Sequence, residues 1–91
     1  MRKRAHVFYS GRVQGVGFRY TAREVACGYE VTGFVRNLHD GRVEMVAEGN
    51  EEEVRAFLDA IQASQLAGYI RGADVRWAEA TGEFAGFGIR F

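Results

Sequence analysis

Two periodicities alternate along this chain, one of two residues and one close to 3.6. Val7-Phe8-Tyr9 reads as a short strand. Apolar residues occupy both of its parities, and Val7 and Tyr9 are the expected inward pair. The strand runs into Gly11-Arg12-Val13-Gln14-Gly15-Val16-Gly17, with three glycines in seven residues. Such a loop needs unusual φ or a close approach to something. From Phe18 the period becomes helical. Phe18, Ala22, Val25 and Ala26 share a face, and Gly28 stands where a glycine would end the helix. Val31 to Asn37 is a second strand, with Val31, Gly33 and Val35 on one face. The Asp40-Gly41 turn signal in Leu38-His39-Asp40-Gly41 predicts a hairpin. Val43, Met45 and Ala47 then alternate with Glu44 and Glu48 in a third strand ending at Gly49.

Asn50 is the expected cap of a second helix, with Glu53 completing a capping-box-like pair. Glu51, Glu52 and Glu53 suit the positive end of that helix, and Val54, Phe57, Leu58 and Ile61 form its apolar stripe. Residues 64–72 read only as a loop. Ala73, Val75 and Trp77 alternate with Asp74 and Arg76 in a fourth strand. Phe87, Ile89 and Phe91 alternate with Gly88 and Arg90 in a terminal one. The order is βαββαβ plus a short C-terminal strand. This predicts an α+β chain with a ferredoxin-like α/β sandwich, two helices on one face of a mainly antiparallel sheet. A single domain over residues 1–91 is expected, without repeat or linker.

Composition narrows the partners. Hydrophobic residues are 47% and charged residues 26%, as in ordinary soluble globules. The 12 basic residues balance the 12 acidic ones, so neither nucleic acid nor membrane is an expected partner. No apolar run approaches the length of a membrane span, no secretory segment is evident, and the cytoplasm is the expected location. The balance hides an asymmetry: residues 1–42 hold eight basic and three acidic residues, residues 43–91 four and nine. Attraction between halves explains this, as does an electropositive site suited to an anion.

The common chemistries find little support. His6, His39 and Cys27 are scattered without paired ligand spacing, so no metal is expected. Cys27 lies near a helix C-terminus, where the dipole disfavours a thiolate. Ser10 and Ser64 lack the G-x-S-x-G context. The acids of residues 48–53 suit a solvated helix start. Gly15-Val16-Gly17-Phe18-Arg19-Tyr20 lacks the third glycine of a dinucleotide loop and the Lys-Ser/Thr of a Walker sequence. An RNA-binding sheet would want aromatics in the third strand, which offers glutamates.

What remains is the glycine loop. Small residues feeding a helix N-terminus align free backbone N–H groups, which bind anions and phosphate above all. Gln14 can add an amide. Arg19 in the first turn is a cation at the positive end of a helix, unfavourable by a few tenths to about 1 kcal/mol. An anion between it and the loop amides would explain it. A solvent-facing arginine after a tight turn is the alternative. Asn37 closes the row Val31, Gly33, Val35, either as a turn-former or as an amide that orients a water.

Gly11-Arg12-Val13-Gln14-Gly15-Val16-Gly17-Phe18-Arg19 resembles the first signature of the acylphosphatase family. Gly33-Phe34-Val35-Arg36-Asn37, with Gly41-Arg42-Val43 and Gly49, resembles the second. Length, element order and the closing Gly88-Ile89-Arg90-Phe91 also fit. Tyr9 departs from the aliphatic residue usual there, and residues 64–72 lack a proline often seen. The resemblance implies a hydrolase acting on acid anhydrides, an acylphosphatase cleaving a small-molecule acyl phosphate to a carboxylate and inorganic phosphate. Phosphate would be product and inhibitor. It implies that Arg19 holds the phosphoryl group, that the amides of the phosphate-binding loop (Gln14, Gly15, Val16 and Gly17) cradle its oxygens, and that Asn37 orients the attacking water. No cofactor and no metal would take part, and a monomer is expected. Two rival expectations are a phosphate- or carbamoyl-phosphate-binding module, like the related domain of hydrogenase-maturation proteins, and a ferredoxin-like nucleic-acid binder.

Overall fold

The structure, a computed structural model, describes all residues from Met1 to Phe91. Five strands and two helices follow the expected order: β1 (Arg2–Gly11), α1 (Phe18–Ala26), β2 (Thr32–Asn37), β3 (Val43–Asn50), α2 (Glu51–Gln62), β4 (Ile70–Glu79) and β5 (Phe87–Arg90). The sheet order is β4-β1-β3-β2-β5. β1 pairs antiparallel with β3 and β4, β2 antiparallel with β3, and β5 runs parallel to β2. This is the ferredoxin-like sandwich with an added edge strand. No helix is long and apolar enough to cross a membrane.

One face of the sheet carries the core. Ala5, Val7 and Tyr9 of β1 and Val43, Met45 and Ala47 of β3 are buried. They meet Phe18, Ala22 and Ala26 of α1 and Val54, Phe57 and Ile61 of α2. The period-two and period-3.6 faces therefore meet as the pattern requires. Tyr9 fills its position by packing its ring 4.9 Å from that of Phe18, and burial pushes its hydroxyl pKa up. α1 packs over β2 and β5, α2 over β1 and β3. β4 lies beyond both helices, so its alternating face is left largely uncovered.

Several local expectations give way. β1 is ten residues long, because β3 and β4 pair with it on both sides. Gly28 does not adopt a left-handed φ. α1 ends instead in tight turns, with Gly28 N donating to Val25 O and Tyr29 N to Ala26 O. Asn50 makes no side-chain cap. Glu53 turns outward to accept from Glu30 N at 2.9 Å, tying α2 to the entry of β2. Residues 64–69 form consecutive turns around the Ser64 hydroxyl, which accepts from Leu66 N and donates to Ile61 O. That places Leu66 fully in the core. β5 ends at Arg90, and Phe91 is exposed rather than inward.

The opposite face is not an open polar surface. Glu44 and Glu48 point to it, yet both are buried. Glu44 is held by His6 and Arg36, and Glu48 lies under the link from β4 to β5, which occupy opposite edges of the sheet. Four strand spacings are about 19 Å. The seven residues 80–86, which reach at most about 3.3–3.6 Å each, cross it in one direct pass. They cross behind the sheet, and Glu48 anchors them. It accepts from Thr81 N (3.0 Å), Thr81 Oγ1 (3.0 Å), Gly82 N (2.9 Å) and Arg4 Nε (2.6 Å). Phe84 then packs on Phe34 at 5.8 Å, and Gly33 N donates to Gly86 O. Gly33 must be glycine here: its φ is 146°, and a Cβ would lie 1.8 Å from Val46 O.

Burial alone would raise the Glu48 pKa. The two backbone donors of Thr81 and Gly82, with Arg4, outweigh it and hold the carboxyl at about 2, against 4.5 ordinarily. A folded-state pKa below the unfolded value stabilises the fold above the unfolded pKa, on the order of 3 kcal/mol. That contribution falls away as pH drops from 4.5 through about 2. Glu48→Gln should lower unfolding stability at neutral pH by a similar amount. It should also flatten the dependence of stability on pH between these limits, as read by urea titrations at a series of pH values. An unchanged acid profile in the variant would contradict this role.

Candidate active site

β1 and β2 are both antiparallel to β3, so their C-terminal ends emerge at one end of the sheet. β1 leads into residues 12–17 and α1, and β2 ends at Asn37. The loop is shaped by its alternation. Gly15 and Gly17 both have φ 77°, while no non-glycine residue has positive φ. Val16 between them therefore has the opposite sense. The sign of φ thus alternates from Gly15 to Gly17, an alternation that anion-binding backbone nests use. No main-chain N–H from Gln14 to Gly17 donates to another backbone carbonyl. A Cβ at Gly15 or Gly17 would meet nothing within 4 Å, so φ, not crowding, requires glycine there.

Apolar and polar ties hold this loop from opposite sides. Val13 is fully buried and Val16 packs against the core. The side-chain amide of Gln14 donates to Leu38 O at 2.7 Å and to Arg42 O at 2.9 Å. Gln14 is thus a strut to the β2–β3 hairpin. Its side-chain N–H groups are engaged there, which corrects the expectation that this amide adds to the cradle. The strut fixes the glycine turn against the residue that follows Asn37. The hairpin itself is closed by Leu38 N to Arg42 O and by Asp40, which accepts from Arg42 N and Nε. The backbone donor of Arg42 holds the Asp40 carboxyl below its ordinary pKa.

Gly17 is the N-cap of α1 and supplies no side chain. Thr21 N donates to Gly17 O as the first helical bond, so the N–H groups just before it lack intrahelical acceptors. Arg19 lies in this turn, which has no acidic residue. It is half-buried and forms no ion pair, whereas Arg4, Arg36, Arg42, Arg55 and Arg76 all do. Its guanidinium instead lies 4.8 Å from the centre of the Phe91 ring. Asn37, the last residue of β2, is half-buried beside Val43.

The structure therefore gathers the loop, Arg19 and Asn37 at one end of the sheet. His6, His39 and Cys27 stay apart. His6 is bonded to Glu44 on the opposite face, His39 is in the hairpin, and Cys27 is exposed at the end of α1. No group of three or more His, Cys, Asp or Glu side chains could hold a metal ion. Sequence reasoning missed the strut of Gln14 and the ring of Phe91. A glutamine between a buried valine and a left-handed glycine was the only available signal for the first.

Residues 5–89 match the acylphosphatase family. An acylphosphatase of Roseiflexus sp. (strain RS-1) is 49% identical over 86 residues, covering 94% of this chain and 92% of that protein. One from Methylococcus capsulatus is 47% identical over 87 residues, covering 96% and 95%. The crystal structure of acylphosphatase from Bacillus subtilis superposes with a TM-score of 0.89 at 31% identity, covering 98% and 99%. Full-length HypF in its phosphate- and nucleotide-bound form contains a region of the same shape, with a TM-score of 0.86 and 26% identity over 12% of that chain. This chain belongs to the acylphosphatase family. It is a hydrolase of acid anhydrides, acting on acyl phosphates.

Gln14→Ala would take from the Leu38 and Arg42 carbonyls one of the two donors that each has, at a cost of about 0.5–1.5 kcal/mol per hydrogen bond. Thermal unfolding of the variant should show that loss, and Gln14→Glu should not restore it, since a carboxylate cannot donate. Stability equal to wild type in both variants would remove the strut from this account.

Proposed function

We propose that the loop amides of Gln14, Gly15, Val16 and Gly17 cradle the phosphoryl oxygens of the acyl phosphate, that Arg19 holds the same group as a cation, and that Asn37 orients the attacking water. The observation that carries this reading is the glycine loop whose φ alternates in sign, with uncommitted amides, running into a helix whose first turn bears a half-buried arginine without an acidic partner. A cation at a helix N-terminus is unfavourable by itself. A dianionic phosphoryl group between guanidinium and amides reverses the sign of both interactions.

The chemistry asks little else of the chain. The leaving carboxylate belongs to an acid with a pKa of about 4–5 and departs without a proton donor. The bond to break is the one between phosphorus and the acyl oxygen. The bond to form joins phosphorus to the water held by Asn37. A neutral amide is too weak a base to take the proton, so it passes to an oxygen of the phosphoryl group itself. The protein contributes position and charge stabilisation on the equatorial oxygens. No metal or cofactor is required by this scheme. Inorganic phosphate, a product of the same shape, competes for the cradle.

Benzoyl phosphate hydrolysis by the purified protein tests the scheme. Turnover should be insensitive to EDTA and competitively inhibited by phosphate. Arg19→Ala should abolish it and weaken phosphate binding. Arg19→Lys should rescue poorly, because a point charge lacks the planar fork. Asn37→Ala should lower kcat with a smaller effect on phosphate affinity. Wild-type kcat/KM in Arg19→Ala would overturn the assignment. Phosphate binding without turnover in the wild type would point to a binding module instead.

A further inference from the structure

Two arginines at the end of the sheet that carries the glycine loop have guanidiniums without a partner. Arg12 follows β1 and opens the loop, and Arg71 is the second residue of β4. Neither makes an ion pair, and neither guanidinium lies over an aromatic ring. Arg4, Arg36, Arg42, Arg55 and Arg76 do both. Arg12 and Arg71 are exposed and, with Gly11, line one open recess of about 460 Å³ that no acidic residue borders.

Backbone geometry brings them there. β1 pairs with β4 as Ser10 to Gly72 and then as Gly11 to Ile70, so Arg71 is the extra residue of a bulge. Bulges re-aim side chains. Here the Arg71 side chain passes over Gly11: its Cγ would lie 3.0 Å from a Cβ placed there. Gly11 has φ 117°, and a Cβ would also meet Tyr69 O at 2.5 Å, so glycine is required on this path. Arg12 N donates to Tyr69 O at 2.9 Å, which ties the start of the loop to the entry of β4. Two guanidiniums at one opening repel each other, and an anion between them reverses the balance. The recess is also near the cradle. Gly15 is three residues beyond Arg12, and three residues span at most about 10–11 Å, a distance that a short acyl group and an arginine side chain bridge together.

We propose that Arg12 and Arg71 form a subsite for a second anionic group at the far end of the acyl group, so that this protein favours acyl phosphates of dicarboxylic or phosphorylated acids over neutral ones. The inference rests on the cradle reading above, which fixes where the phosphoryl group sits. The recess is open and its cations are solvated, so it holds no free anion tightly. It acts on a group already tethered by the phosphoryl end. Because that group is remote from the breaking bond, it is bound alike in ground and transition states and lowers KM rather than raising kcat.

Hydrolysis of 4-carboxybenzoyl phosphate against its neutral amide, 4-carbamoylbenzoyl phosphate, tests the subsite. The ratio of their kcat/KM values cancels differences in folded fraction between variants. Wild type at low ionic strength should favour the acid by about three- to tenfold, mainly through KM. Added salt should shrink that preference. Arg12→Gln and Arg71→Gln should each cut the ratio by about two- to fivefold, and the double substitution should remove the preference. Arg71→Lys should keep most of it, since charge suffices at an exposed site, and Arg71→Glu should reverse it. A third substrate, 4-phosphonobenzoyl phosphate, separates the two kinds of acid. A larger gain than with the carboxylate, dependent on both arginines, assigns the subsite to phosphorylated acyl groups; a smaller one assigns it to dicarboxylic acids. The inference is overturned by a ratio that is the same in wild type and in the double variant, or by a preference for the acid that survives Arg71→Glu. The cradle reading fails by a different result, wild-type kcat/KM in Arg19→Ala.

Discussion

A short link between the two outer edges of the sheet constrains the rest of this molecule. β4 and β5 stand at opposite edges, and the seven residues 80–86 join them in one direct pass. Such a link cannot meander, and its polar backbone must be satisfied where it crosses a buried surface. Glu48 meets that demand with one carboxylate that receives two backbone N–H groups, a hydroxyl and the Arg4 guanidinium. β5 is delivered by this crossing to its place beside β2. α1 packs on β5, and the Arg19 guanidinium meets the ring of the residue just past the end of β5. A buried charge on the third strand thus supports the strand against which α1, with Arg19 in its first turn, is packed.

A second tie works at the functional end. The glycine loop could take many paths if only its φ angles were specified. Val13 and Val16 hold it to the core, and Gln14 holds it to the hairpin that follows Asn37. The glycine loop and Asn37 come from segments distant in sequence, and one side-chain amide ties the first to the hairpin that follows the second. Catalysis of this kind draws on preorganised donors, so rigidity of the joint matters as much as the identity of the donors.

Much of the fold was legible because each element carried its own period. Val7 and Tyr9, the row Val43-Met45-Ala47 and the stripe Val54-Phe57-Ile61 all face the core as their spacing requires. The candidate site was legible because left-handed backbone calls for glycine, and because Arg19 breaks a local electrostatic rule. What stayed hidden depends on partners distant in sequence. Glu44 and Glu48 have the alternation of a solvated face, and only the crossing of residues 80–86, with Arg4, His6 and Arg36, makes them buried groups. Glu53 has the spacing of a capping box, but Glu30 N competes for it. The Gln14 strut and the buried Leu66 likewise rest on contacts that no local pattern encodes.

The central claim is that one anion is held jointly by the Gln14–Gly17 amides and Arg19, next to Asn37. Titration of isotope-labelled protein with inorganic phosphate, followed by amide and side-chain NMR, tests it most directly. The account predicts saturable shifts at the backbone amides of Gly15, Val16 and Gly17, at the Arg19 Nε–H and at the Asn37 side-chain amide, all with one dissociation constant. Shifts centred on Arg12 and Arg71, or a loop whose amides do not respond while phosphate binds elsewhere, would contradict it.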